Sequence, residues 1–206
     1  MFRNALEDVD RFIKSNVFTL SGNDLYNLKK GFYEKSVEYM GHSNNLTGIT
    51  ELVVNMYLNH WVEAQSLPYS LKRNYKVKGV NGKDNELDIA FLDESLEIQF
   101  GISVKREIGS TSWKTHEKSS SSYKELTKNY SLRNNLLQDY WRLDNIKRGI
   151  NRAFPTVTII FEGVREGEEM MMKKLTEDTP SFQYLVLYQH QDAIFYDLKE
   201  KFRIVK

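Results

Sequence analysis

Two stretches limit what this chain can fold into more than any others. LEIQFGISVK (96–105) alternates apolar and polar residues, whereas TVTIIFEG (156–163) is almost continuously apolar. A period of two marks a strand with one face in a core. A short apolar run bounded by Pro155 and Gly163 marks a strand covered on both faces. A chain that holds both needs a sheet with helices packed against it.

The remaining segments fit that requirement. Residues 4–65 read as helices, because ALEDVDRFIKS, LYNLKKGFYEKSVEYM and NNLTGITELVVNMYLNHWVEAQ place apolar residues at three- and four-residue spacing. Thr47 or Thr50 is available to cap the third, and Pro68 closes the region. Strands are expected at YKVKGV (75–80), ELDIAFL (86–92) and 96–105, joined by the turns NGKDN and DES. Leu96, Ile98, Phe100, Ile102 and Val104 would share one face of the third strand. Glu97, Gln99, Ser103 and Lys105 would share the other, with Gly101 between them. One long helix is expected over YKELTKNYSLRNNLLQDYWRLDNIKRGIN. A second covers REGEEMMMKKLTED, with Met170–Met172 packing on the sheet. FQYLVLY (182–188) reads as a strand, and AIFYDL and FRIVK as short edge strands. The expected fold class is α/β, a central mixed sheet flanked by helices with an α–β–β–β–α–β order. The expected organisation is a single domain over 1–206, with an N-terminal helical part (1–66) and a catalytic core (75–190).

Composition removes several chemistries. Hydrophobic residues make up 40% and charged residues 28%, the balance of a globular chain. There is no cysteine, so disulfides, thiolate zinc sites and cysteine nucleophiles are excluded. His42, His60, His116 and His190 lack the paired spacing of a zinc site. No apolar run approaches the roughly 20 residues that span a bilayer. The opening MFRNALEDVDRF has early acids and no apolar signal core, so a soluble cytoplasmic protein is expected. Net charge is +1, yet residues 105–152 hold 11 Lys and Arg against 5 Asp and Glu. Such a local basic surplus suits a protein that holds phosphates on one side, and equally a solvated helix face.

The polar face of the third strand raises the functional question. Carboxylates and a lysine held together in a partly buried place are costly unless they bind a metal or a charged substrate. Asp88 on one strand and an acid and a lysine on its neighbour suit metal-assisted phosphodiester hydrolysis. Carboxylates hold Mg²⁺, the metal acidifies a water, and lysine orients that water and stabilises charge on the phosphorane.

The hairpin "NELDIAFLDESLEIQFGISVKRE" resembles the active-site hairpin of the PD-(D/E)xK nuclease superfamily, the restriction-endonuclease-like fold. The likeness covers roughly residues 46–190 and rests on a short motif. Asp88 in "ELDIAF" falls where that family has its metal-binding Asp, with Leu87 in place of the usual Pro. Two registers are open for the second half. In the first, Ser103-Val104-Lys105 replaces acid-x-Lys, and Glu117, 12 residues after Lys105, supplies the displaced acid. In the second, Glu97-Ile98-Gln99 is the motif, with Gln for Lys. The first is favoured because Lys105 supplies a cation. The resemblance implies a Mg²⁺-dependent type II restriction endonuclease acting on double-stranded DNA as a homodimer. Other nucleases of the fold, or a non-catalytic DNA-binding protein, are the alternatives. Glu51 is a further candidate metal or water contact, or else a helix N-terminal charge. Arg106, Lys114 and Lys118 are candidate DNA contacts. Arg133, Arg142, Lys147 and Arg148 would line a groove or face solvent, and Tyr140 and Trp141 are expected in the core or a dimer contact.

Overall fold

The computed structural model describes residues 2–40, 47–130 and 135–203. Five strands form one sheet in the spatial order β1 (Ser70–Lys78), β2 (Asp84–Leu92), β3 (Ile98–Lys105), β4 (Thr156–Ile160), β5 (Phe182–Val186). The first three are an antiparallel meander, because short turns can only return the chain antiparallel. β4 lies parallel to β3, and β5 parallel to β4. The β3–β4 crossover contains α4 (Thr115–Lys118), α5 (Ser121–Asn129) and α6 (Asn135–Gly149), and the β4–β5 crossover contains α7 (Glu166–Asp178). Helices α1 (Phe2–Asn16), α2 (Gly22–Met40) and α3 (Thr47–Ala64) precede the sheet, and α8 (Ile194–Lys201) follows it. No helix among the described residues is long and apolar enough to cross a membrane.

The two sheet faces bury different helices. Phe100, Ile102 and Val104 of β3 and Val157 and Ile159 of β4 pack with α1, α2, α3 and α8 around Tyr57 and Trp61. The opposite face holds α6 and α7, through Leu136, Leu137, Trp141, Met171, Met172 and Leu175. Gly101 is required on that second face. A Cβ there would meet Phe154 at 3.0 Å and Leu87 and Thr156 at 3.2 Å. Helix α2 starts with a reciprocal cap, in which Asp24 N donates to Ser21 Oγ and Ser21 N donates to Asp24 Oδ2, both at 3.0 Å.

Several expectations need correction. β1 begins at Ser70, ahead of the alternating YKVKGV. The long helix is two helices: α5 ends with Tyr130 in an extended conformation as its cap, while residues 131–134, including Arg133, lie outside the described residues. AIFYDL is helical, because Ile194, Phe195 and Leu198 fall on one helical face and enter the core beside Trp61, whose indole donates to the Phe195 carbonyl at 3.0 Å. Of FRIVK, Phe202 and Arg203 form a turn and residues 204–206 lie outside the described residues.

The apolar face of β3 also departs from simple alternation. Phe91 pairs with Phe100 but Leu92 pairs with Ile98, so Gln99 is an extra residue, a β-bulge. Ile98 consequently packs on the α6 side with Leu92 and Leu143, not with Phe100. Leu96 stands outside the strand, exposed in a turn with a left-handed φ of 61°. Asp93 organises that turn by accepting from Ser95 N and Glu97 N, each at 2.9 Å.

Candidate active site

Pairing between β2 and β3 extends to Ile89 opposite Ile102 and stops there. Asp88 is the next residue. Ile89 packs in the core against α3, whereas Leu87 packs in the core against α6, so the alternation of β2 inverts at Asp88. β1 inverts at the facing position, where Asn74 takes a left-handed φ of 50°. The diverging strands leave the Val104 amide without a ladder partner from β2. The Asp88 carboxylate takes that role, with Val104 N donating to Asp88 Oδ2 at 2.6 Å. Backbone geometry therefore aims Asp88 at β3 rather than at either helical layer.

β3 contributes Ser103 and Lys105, and α6 contributes Asp139 and Arg142. Asp139 is almost fully buried, its side chain 1% exposed, and Lys105 Nζ stands 3.0 Å from its Oδ1. Arg142 Nη2 donates to the same oxygen at 2.6 Å, and Thr158 Oγ1 of β4 donates to Asp139 Oδ2 at 3.0 Å. Ser103 Oγ lies 2.8 Å from Asp139 Oδ1 and 3.2 Å from Asp88 Oδ2, and it accepts from Arg142 Nη2 at 3.0 Å. Arg142 Nη1 faces Asp88 Oδ1 at 3.5 Å. Burial pushes the Asp139 carboxyl up, but Lys105, Arg142 and Ser103 outweigh it and bring the pKa down to about 2. The Arg142 guanidinium is opposed by burial, yet Asp139 and Asp88 hold it above its ordinary value.

A cavity of about 410 Å³ opens beside this cluster. Its walls carry Lys83, Lys105, Lys114 and Arg142 against Asp84, Glu86, Glu117 and Asp139, so the lining charges cancel. A second cavity, about 260 Å³, lies on the other side of Lys105 and is lined by Thr50, Glu51 and Arg106 among others. Burial raises the Glu51 carboxyl, and Asp88 raises it further against the opposing pull of Arg73. Glu51 is thus electrostatically coupled to Asp88 from the α3 side.

Among the residues expected from sequence, Asp88, Ser103 and Lys105 converge. Glu117, on α4, is buried and lines the same cavity, its Oε2 accepting from Lys114 N at 2.6 Å and Gln138 Nε2 at 3.3 Å. Glu97 and Gln99 do not join them. They lie at the opposite end of β3, beyond the bulge, where Arg152 bonds Glu97 at 2.6 Å and Gln99 Oε1 at 2.9 Å. Gln99 Nε2 also donates to Asp93. Lys114 borders the larger cavity and Arg106 the smaller, where Arg106 pairs with Glu107. Lys118 is exposed and borders neither.

Of the α6 cations, Arg142 borders the larger cavity, whereas Lys147 and Arg148 have partners elsewhere. Lys147 is buried, with Nζ 3.0 Å from Thr156 Oγ1 and 3.0 Å from the Ser181 carbonyl, and 3.5 Å from the Phe182 ring centroid. Arg148 pairs with Asp144 at 2.7 Å. Trp141 is buried and Tyr140 packs beside it, as expected. Asp139 was the residue hardest to single out from sequence. Its signal is a carboxylate three residues after Leu136 and four before Leu143, on the stripe that a helix buries.

Asp88, Glu117 and Glu51 each offer oxygen to a hard cation, although Glu117 and Glu51 border different cavities and no group of three or more acidic or histidine side chains among the described residues is placed to hold a metal ion together. Asp139 does not offer its oxygens, because Lys105, Arg142, Ser103 and Thr158 already surround them. No protein-family model matches the chain, and neither a curated protein nor a solved structure is significantly similar to it.

Proposed function

We propose that the protein is a Mg²⁺-dependent nuclease of duplex DNA with a restriction-endonuclease-like core, a type II restriction enzyme being the specific form. The observation that carries this reading is the meeting of Asp88, Ser103 and Lys105 where β2 and β3 diverge, with Lys105 and its partner Asp139 on the wall of a polar cavity. The antiparallel meander followed by a parallel β4 supports the core assignment.

Asp88 and Glu117 would hold the ion. Bound there, it would supply Lewis acidity at the phosphate and acidify a water. Lys105, fixed by Asp139, orients the attacking water and carries positive charge to the developing phosphorane. The single Ser103 hydroxyl proton serves Asp139, at 2.8 Å, or Asp88, at 3.2 Å, so the serine stands between these two carboxylates. A symmetric dimer would bring two such sites to the two strands of a palindrome.

The mutual neutralisation of Asp88, Asp139, Lys105 and Arg142 favours a second reading, a non-catalytic DNA-binding protein in which the cluster is structural. Incubating mixed-sequence duplex DNA with Mg²⁺ or with EDTA separates the two. Discrete Mg²⁺-dependent fragments are expected, falling about 10²–10³-fold in Lys105→Ala. Glu117→Ala loses activity as well, whereas Gln99→Ala retains it. No cleavage by folded wild-type protein leaves the binding reading.

A further inference from the structure

Arg142 stands in the way of the chemistry proposed above. Its guanidinium reaches Asp88 at 3.5 Å and Asp139 at 2.6 Å, so both carboxylates already face a cation. Its Nε is buried and, among the described residues, has no hydrogen-bond partner. A guanidinium carries five donors in a planar fork that fits a phosphate better than two separate carboxylates. The residue also borders the 410 Å³ cavity.

Both carboxylates have partners besides Arg142. Asp139 would keep Lys105 at 3.0 Å, Ser103 at 2.8 Å and Thr158 at 3.0 Å. Asp88 would keep the Val104 amide at 2.6 Å and gain a free oxygen. Because the lining charges of the cavity cancel, a polyanion is not drawn in until a cation is added.

We propose that Arg142 is a transferable cation. In the resting protein it neutralises Asp88 and Asp139, and on substrate binding it passes to a phosphate of the DNA backbone while a divalent cation takes its place at Asp88. This rests on reading the site as one for phosphodiesters. Divalent cation and DNA then bind with positive coupling, each strengthening the other by the same factor.

Calorimetric titration of Ca²⁺, with and without a short duplex DNA, tests the proposal without turnover. The duplex is expected to tighten Ca²⁺ binding by about tenfold. Arg142→Gln should bind Ca²⁺ about tenfold more tightly than wild type in the absence of DNA, with the coupling to DNA lost. Adding Asp88→Asn to that variant should abolish the gain. Equal Ca²⁺ affinity in wild type and Arg142→Gln, or coupling that survives in Arg142→Gln, overturns the proposal. Should Arg142→Gln fail to fold, the wild-type titration decides alone, since absence of tightening by DNA is fatal to it. Failure of the nuclease reading shows separately, as duplex binding without Mg²⁺-dependent cleavage.

Discussion

Lys105 and Arg142 converge on a single buried carboxylate, and that choice has consequences for stability. Replacing Asp139 by Asn leaves two cations in a partly buried place, and a loss of about 3–5 kcal/mol is expected in denaturant unfolding at neutral pH. The carboxyl titrates at about 2 in the folded protein and near 3.9 in an unfolded chain. Its stabilisation is therefore complete above about pH 4 and is lost as pH falls towards about 2, a slope that Asp139→Asn should lack. Lys147 behaves in the opposite sense. Burial brings its pKa down to about 7, so the folded protein binds this proton more weakly than the unfolded chain does. Unfolding free energy should rise between about pH 7 and pH 10, and the rise should vanish in Lys147→Met. Both residues occupy the buried stripe of α6, and their positions in sequence do not identify their partners.

The turn of the β1–β2 hairpin packs directly on α6. Val80 N donates to the Asn145 carbonyl at 3.0 Å, and the backbone of the hairpin lies directly on Gly149. A Cβ at Gly149 would stand 2.5 Å from the Lys78 carbonyl oxygen and 2.7 Å from Gly79 Cα. Gly149→Ala should accordingly push the hairpin from α6 and cost about 1–3 kcal/mol in chemical denaturation. Duplex cleavage should fall as well, because Lys83 and Glu86 of β1–β2 and Asp139 and Arg142 of α6 share the cavity wall. At this scale the strands of the meander were legible from their alternation, and the inversion at Asp88 was not. Inversion depends on where β2 and β3 stop pairing, and a pattern of side chains does not record that. The bulge at Gln99 is similar: LEIQF alternates without interruption in sequence, while the turn built on Asp93 sets a different register in space.

The whole molecule is a sheet with two unlike faces, an N-terminal and C-terminal helical layer on one and the crossover helices on the other. The candidate site opens between β3 and α6, with Glu51 of α3 approaching it from the first layer. A palindromic duplex read by two copies should sediment as a complex of two chains per duplex in Ca²⁺. A single chain per duplex would remove the dimer from the proposed function.

Sequence periodicity determined the mixed sheet and most of its helical cover, though not helix α8, because burial of one face or two leaves a direct imprint on residue order. The types of Asp88, Ser103 and Lys105 were enough to nominate one end of β3. Tertiary structure separated the two sets of candidates, since the bulge and Arg152 draw Glu97 and Gln99 to the other end. It alone brought Asp139 and Arg142 across from α6, a contact between residues 34 and more positions from Lys105. Such pairings follow from how a crossover helix docks on its sheet, and docking depends on the shape of the whole core.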